Sequence, residues 1–210
     1  MAKNYKSFTG LKEFYYGKLD DTENKISDDE AERVEFLQEI SVEVPQEIEK
    51  AYGDNTVAEI AVSTDSVTLS TTFHTIPIED RAAIYGWGGD DEEGYYLPES
   101  PNPPYVACMF SRTSEDGGNE WLGFPKGKFM MPSMEGSTKQ DSVEFSSDET
   151  EGEFMPREID GIDKRTPFII KKDKPGETKN RDRMYEQLFG VPHPDKSGND
   201  DNGDEGDETP

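Results

Sequence analysis

The sequence predicts a mainly β protein: a β-sandwich or barrel with one short flanking helix, one C-terminal helix and an acidic tail. Three observations carry that reading. Residues 67–74 alternate strictly, with Val67, Leu69, Thr71 and Phe73 on one face and Thr68, Ser70, Thr72 and His74 on the other. A period of two belongs to a strand with one buried and one wet face. Residues 35–44 repeat the pattern, setting Phe36, Gln38, Ile40, Val42 and Val44 against Glu35, Leu37, Glu39, Ser41 and Glu43. From residue 105 to 131, short apolar and aromatic runs are punctuated by turns rich in Gly, Pro and Asn, as antiparallel connections require.

Taken in order, residues 1–12 are polar and read as an arm, and residues 13–18 are an aromatic strand candidate. Residues 20–32 hold seven acids against Lys25 and read as an exposed loop. The strand over 35–44 stops at Pro45, which has no N–H to give a ladder. Tyr52-Gly-Asp-Asn55 turns the chain into residues 57–62, and Ser63-Thr-Asp-Ser66 leads on into 67–74, so that 57–74 reads as a hairpin. A slip of one residue would put Leu69 and Phe73 into water, which fixes the register. A helix follows. Pro77 suits its first position and Glu79 and Asp80 suit its positive end. Ile78, Ala82 and Tyr85 recur at i, i+4 and i+7, and Gly86 can stop it in a left-handed conformation.

Residues 87–104 form the longest irregular region, Gly-rich, then acidic, then Pro-rich, with Tyr95-Tyr-Leu97 at its centre as a docking candidate. Strands are expected at 105–110 and 120–124, with Pro125-Lys-Gly127 as a turn before 128–131. Further strands are expected at 142–145, 149–155 and 166–171, for about nine in all. The last element is a helix capped by Asn180. Met184, Tyr185, Leu188 and Phe189 share its apolar face, and Gly190 and Pro192 end it. From residue 194 to 210 the chain has no apolar side chain to bury and reads as disordered. Residues 1–193 are therefore expected to form one domain and 194–210 a tail.

Composition narrows the function. The 210 residues carry 47 acids and 22 bases, a formal net charge of −25. Such a surface repels nucleic acid and argues against phosphate-gripping roles, though not against a protein past which DNA must slide without sticking. Cys108 stands alone in an apolar run, so neither a disulfide framework nor a thiolate metal cluster is expected. No stretch approaches the roughly 20 apolar residues of a membrane span, and the first six residues lack an apolar signal region. A soluble chain made in a cytoplasm, with no membrane binding, is the expectation.

Chemistry is hard to find. His74 and His193 are the two histidines, and neither has His or Cys neighbours at ligand spacing. Trp87-Gly-Gly89 is too short to cradle phosphate and precedes acids. The tail acids 200–205 do not complete a calcium loop with either Gly203 or Gly206 as its turn glycine. With 47 acids, carboxylate pairs occur at every spacing and none singles out a hydrolase. No catalytic residue, cofactor or metal site is assigned, and the chain reads as a non-enzyme.

A family resemblance covers residues 1–193. Glu120-Trp-Leu-Gly-Phe-Pro-Lys-Gly-Lys-Phe-Met130, Glu135-Gly-Ser-Thr-Lys139, Glu144-Phe-Ser-Ser-Asp-Glu149 and Glu153-Phe-Met155 resemble the major tail proteins of long, non-contractile-tailed bacteriophages of Gram-positive hosts. Gly10-Leu-Lys-Glu-Phe-Tyr-Tyr16, Glu47-Ile-Glu-Lys-Ala-Tyr-Gly-Asp-Asn55, Asn180-Arg-Asp182 and Phe189-Gly-Val-Pro192 fit as well. No single signature carries the resemblance; a colinear set of short motifs does. The acidic extension past residue 194 departs from the common pattern.

The resemblance implies a tail-tube subunit of the virion. In it the inner sheet of each β-sandwich joins those of five neighbours in a ring, and rings stack into a tube for the genome. It implies partners among other tail proteins (tape measure, distal tail and terminator), with viral DNA as a non-specifically passing cargo. The polar strand faces Glu39, Ser41 and Glu43, Thr68, Ser70 and Thr72, and Glu151 and Glu153 are candidates for the lumen wall, or else for the outer wall. Trp87, Tyr95, Tyr96 and Leu97 are candidates for ring stacking. The alternatives are a monomeric acidic β-sandwich that binds carbohydrate or a host surface, and an acidic hydrolase.

Overall fold

The computed structural model describes residues 6–53, 56–63, 66–134 and 146–196. They form fourteen strand segments and two helices: β1 (Phe8–Lys18), β2 (Glu32–Val34), β3 (Leu37–Glu43), β4 (Glu47–Gly53), β5 (Thr56–Ser63), β6 (Val67–Phe73), α1 (Ile78–Tyr85), β7 (Gly88–Asp90), β8 (Gly94–Tyr96), β9 (Val106–Ser114), β10 (Asn119–Met130), β11 (Asp148–Phe154), β12 (Arg157–Ile159), β13 (Ile162–Thr166), β14 (Ile169–Asp173) and α2 (Lys179–Phe189). The mainly β class with short helices is as the sequence predicts. One antiparallel sheet runs β2-β1-β9-β10-β11-β6-β3, with β14 paired to β10 off that path. The pairs β4–β5, β7–β8 and β12–β13 stand apart from it.

The central strand β9 explains its own sequence. Val106, Cys108 and Phe110 face one core while Ala107 and Met109 face a second, so both faces are covered and the run is apolar throughout. β10 runs beside it along one edge. Its other edge is shared, with Asn119–Gly123 pairing β14 and Gly127–Met130 pairing β11. Between these partners the register against β9 slips from Phe124 to Gly127. Pro125 sits in that bulge, where a missing N–H is tolerated. The turn expected at Pro125-Lys-Gly127 is therefore absent, and β10 is continuous.

The first core is enclosed by the curled sheet. Phe14 of β1 meets Phe73 of β6 edge to face at 5.1 Å, and Phe110, Phe124, Phe129 and Phe154 fill the space between. α1 closes one end with Ile84 and Tyr85. Its C-terminal end is as predicted, while its start lies one residue later, at Ile78. Pro77 is the N-cap residue, Glu79 and Asp80 lie in the first turn, and Gly86 adopts φ 70° while donating to Ala82 O.

The second core lies under α2. Met184, Tyr185, Leu188 and Phe189 pack on Tyr15, Met109, Trp121 and Ile169. The helix lies so close to β10 that a Cβ on Gly123 would be 2.5 Å from Leu188 Cδ1. Asp173, at the end of β14 and fully buried, fixes the start of this helix. Its carboxylate accepts the N–H groups of Asn180 and Arg181, each at 3.0 Å, and the Trp121 indole N–H, also at 3.0 Å. It thus caps the helix from a neighbouring strand. Asn180, expected as the cap, lies inside the helix, and the N-cap residue Thr178 makes no side-chain cap bond. At the other end the buried Arg157 guanidinium donates to Gln187 O, Leu188 O and Glu23 O.

Other expectations need correction. Residues 8–12, read as an arm, belong to β1, because β9 extends far enough to pair them. Residues 57–74 are not one hairpin: β5 pairs β4, while β6 pairs β3 and β11. In β3 a register shift between Leu37 and Glu39 turns Leu37 toward the core beside Ile40 and Val42. Phe36 precedes the strand at φ 60° and is 69% exposed. The loop 20–32 is mostly exposed, but it plants Ile26 and Ala31 in the second core. β2, β4, β7, β8, β12 and β13 were not anticipated, and the late strand expected at 166–171 is found as β14, beginning after Pro167 at Ile169. The strand expected at 142–145 and the tail from 197 lie outside the described residues.

Two outcomes follow. Replacing Asp173 by Ala should cost about 3 kcal/mol or more, since three buried donors lose their acceptor, and should lower Tm in a thermal melt by about 6–12 °C. The second concerns His193, which is buried against the Tyr15 and Tyr185 rings and accepts the Asp195 N–H on Nδ1. Burial, reinforced by Arg181 against the opposing Asp182 and Asp195, holds its pKa below the ordinary histidine value. A folded state that resists protonation loses stability as pH falls below about 6.5 toward the folded pKa. His193→Asn should flatten the Tm profile of the wild type as pH falls below about 6.5.

Candidate functional site

The eight residues singled out as a polar lining come together. In the registers of β3, β6 and β11, Glu43, Thr68 and Glu153 form one cross-strand row, and Ser41, Ser70 and Glu151 form the next. Glu39 and Thr72 form a third row with Glu149, which the sequence reading missed although it continues the alternation of Glu151 and Glu153. The glutamates of this face are exposed, and the three β6 side chains are half-buried between them. Lys128 and Met130 of β10 extend two of the rows. Ser70 Oγ donates to Glu151 Oε2 at 3.4 Å. The opposite face is apolar: Val67, Leu69 and Phe73 of β6 and Phe154 of β11 are each within 1% of full burial. Alternation alone produces this two-sided sheet, and β3 forms its open edge.

Two elements project from the body. Among the described residues β4 and β5 pair only with each other, from Glu47↔Ser63 to Gly53↔Thr56, and expose Ile48 at 61% and Ile60 at 57%. In the loop 87–104, β7 and β8 make a small hairpin in which Gly88 opposes Tyr96. The four loop residues part company here. Trp87 packs against the first core beside Tyr85, and Tyr95 donates its hydroxyl to Asp91 at 2.9 Å. Tyr96 and Leu97 remain exposed, at 62% and 53%. Asn102 ties the far end of the loop to β10 by accepting from Lys128 Nζ at 2.8 Å.

The titratable groups inside the fold are held by packing. Burial pushes the Cys108 thiol up. Tyr16 donates to Asp80 Oδ1 at 2.7 Å, linking β1 to α1, and burial raises both groups. A hollow of about 830 Å³ beside α1 is lined by Ile76, Arg81, Tyr85, Trp87 and Met131, among others, with no His or Cys on its wall. Among the described residues no group of three or more His, Cys, Asp or Glu is placed to hold a metal ion, and no helix is long and apolar enough to cross a membrane. What this molecule presents is surfaces: a flat acidic sheet face, an open sheet edge and two projections.

Comparison with known proteins agrees. A family model described as phage tail tube protein matches residues 42–191, from the end of β3 to just past α2. The chain belongs to that family. It is a structural subunit of a phage tail tube, a component of the virion that assembles with copies of itself and with other tail components. No curated protein matches the chain. The matched span holds most of the acidic face, both projections and α2 with its Asp173 cap, so these features lie within the family's domain.

The register of this tail tube protein can be checked one residue at a time. Ser70→Lys, on the wet face of β6, should change stability by no more than about 0.5 kcal/mol. Thr71→Lys, one residue along and buried, should cost several kcal/mol or abolish folding. Denaturant melts of the two variants make the comparison.

Proposed function

We propose that copies of this chain close into stacked hexameric rings whose acidic lumen conducts viral DNA into the host. The observation that carries the reading is the face shared by β3, β6 and β11. It holds five glutamates (Glu39, Glu43, Glu149, Glu151 and Glu153) and four hydroxyl side chains on three adjacent strands. Duplex DNA carries one negative charge per roughly 1.7 Å of its axis. A basic wall would bind it. Carboxylates repel it across a screening length of about 8 Å at physiological salt.

The open β3 edge supports ring closure, since an unpaired edge is an aggregation liability that closure removes. The β4–β5 hairpin, with Ile48 and Ile60, and the loop residues Tyr96 and Leu97 supply the apolar contacts between stacked rings, with Trp87 and Tyr95 bracing the loop. Exposed aromatic and aliphatic anchors of this kind commonly dominate interfaces. The same reading takes the virion as that of a non-contractile-tailed phage of a Gram-positive host, assembled in the host cytoplasm. Its tape measure, distal tail and terminator proteins are the partners at the tube's interior and ends.

Size exclusion followed by negative-stain imaging of the purified chain should show rings or tubes. A persistent monomer would favour the carbohydrate- or surface-binding alternative. In assembled tails, Glu39→Lys with Glu43→Lys should leave tubes intact and slow genome ejection at low salt. Normal tubes with unchanged ejection would remove that face from the lumen.

A further inference from the structure

A projection and a recess lie at opposite ends of the same three strands. The rows of β3, β6 and β11 run from Leu37–Phe73–Asp148 at one end to Glu43–Thr68–Glu153 at the other, a span of roughly 17 Å. The β4–β5 hairpin leaves the sheet at the Glu43 end, since β4 follows β3 and β5 precedes β6. The hollow beside α1 lies at the other end. Its wall takes Asp148 and Glu149 from the start of β11, Ile76 from just past β6 and Met131 from just past β10.

The hairpin has two unlike faces. Its register pairs Ile48 with Val62 and Lys50 with Ile60. Ile48, Lys50 and Ile60 therefore share one face, and Glu47, Glu49 and Glu59 share the other. All six side chains are exposed. A lone two-stranded ribbon is marginal in water, and among the described residues no third strand pairs with this one.

The hollow suits the apolar face. Ile76, Trp87, Met131 and Met134 give it an apolar wall, within a volume of about 830 Å³. Tyr96 lies next to this wall, since a Cβ on Gly88 would be 2.6 Å from its Cζ. Met131 and Met134 are exposed at 41% and 66%, and unbranched thioether side chains adapt to an incoming shape. Aromatic residues, Met and Arg are the types enriched at interfaces. The charged groups of the wall are Arg81, Asp148 and Glu149. Asp148 is engaged by Ile76 N and Thr75 Oγ1, which leaves exposed Glu149 as the complement of Lys50. A projection at one end that fits a recess at the other makes a heterologous contact, which propagates as an open stack instead of closing on itself.

We infer that the β4–β5 hairpin of one copy seats its Ile48–Ile60 face in the hollow beside α1 of a copy in the next ring, with Lys50 against Glu149. The inference rests on the stacked-ring reading and gives that stack its axial contact and its polarity.

Ile60→Cys with Met131→Cys on one chain, oxidised in assembled tubes, tests this. Both positions are exposed, and the native Cys108 is buried. Non-reducing gels should show a ladder of linked chains running beyond six copies, because each link passes to another ring. A ladder that stops at one ring would place the contact between neighbours within a ring and overturn the inference. Dimers from Ile60→Cys alone would mean that hairpin meets hairpin, with the same consequence. Tubes without any link would overturn the inference and leave the stacked rings standing, whereas a wild-type chain that forms no tubes would overturn both. A charge reversal needs no engineered thiol. Lys50→Glu should lower tube yield at least threefold, and adding Glu149→Lys to it should restore the yield. A double variant no better than Lys50→Glu alone would overturn the seating.

Discussion

The exchange of partners along β10 is the constraint on which the rest of this structure depends. Its first half is hydrogen-bonded to β14, its second half to β11, and the bulge at Pro125 and Lys126 marks the change. One strand therefore belongs to two layers. Through β14 it is tied to Asp173, the cap of α2 and the second core. Through β11 it is tied to β6, β3 and the acidic face. The orientation of that face relative to the helical side is set by a single covalent strand, which makes the body a stiff block suited to tiling.

Charge is handled by position. The net −25 opposes compaction through self-repulsion, and the glutamates of the sheet face stay in water where that cost is lowest. Two acids that enter the interior are matched to donors. Asp173 receives three N–H groups, and Asp148 accepts from Ile76 N at 2.8 Å, pinning the β6–α1 connection to β11. The buried cation Arg157 is likewise spent on backbone carbonyls, joining the 20–32 loop to the end of α2. Burial without bonding would be far more costly than these arrangements.

Much of this was legible in the sequence where the signal is local. The alternation of β6, the apolar run of β9, the ends of α1 and the apolar face of α2 all follow from spacing within one segment. The residues of the polar sheet face were legible for the same reason, since period two assigns a face residue by residue. Partners were not legible. The hairpin expected at 57–74 and the cap expected at Asn180 both failed because the true partners, β4 for β5 and Asp173 for α2, are set by tertiary pairing. β12 and β13 were missed because short polar strands carry no hydrophobic period. Trp87 illustrates the remaining difficulty: its loop neighbours are exposed, yet its own ring is taken up by the core.

The central claim is that the β3–β6–β11 face lines the lumen of an assembled tube. Cys108 is buried and its thiol is pushed up by burial, so Ser41→Cys offers a single reactive thiol on that face. Labelling of assembled tubes with a small maleimide and with one carried on a bulky polymer measures its accessibility directly. The account predicts reaction with the small reagent, which enters the lumen, and protection from the polymer, with both reagents labelling the unassembled chain. Equal reaction of assembled tubes with both would place the acidic face on the outside and contradict the account.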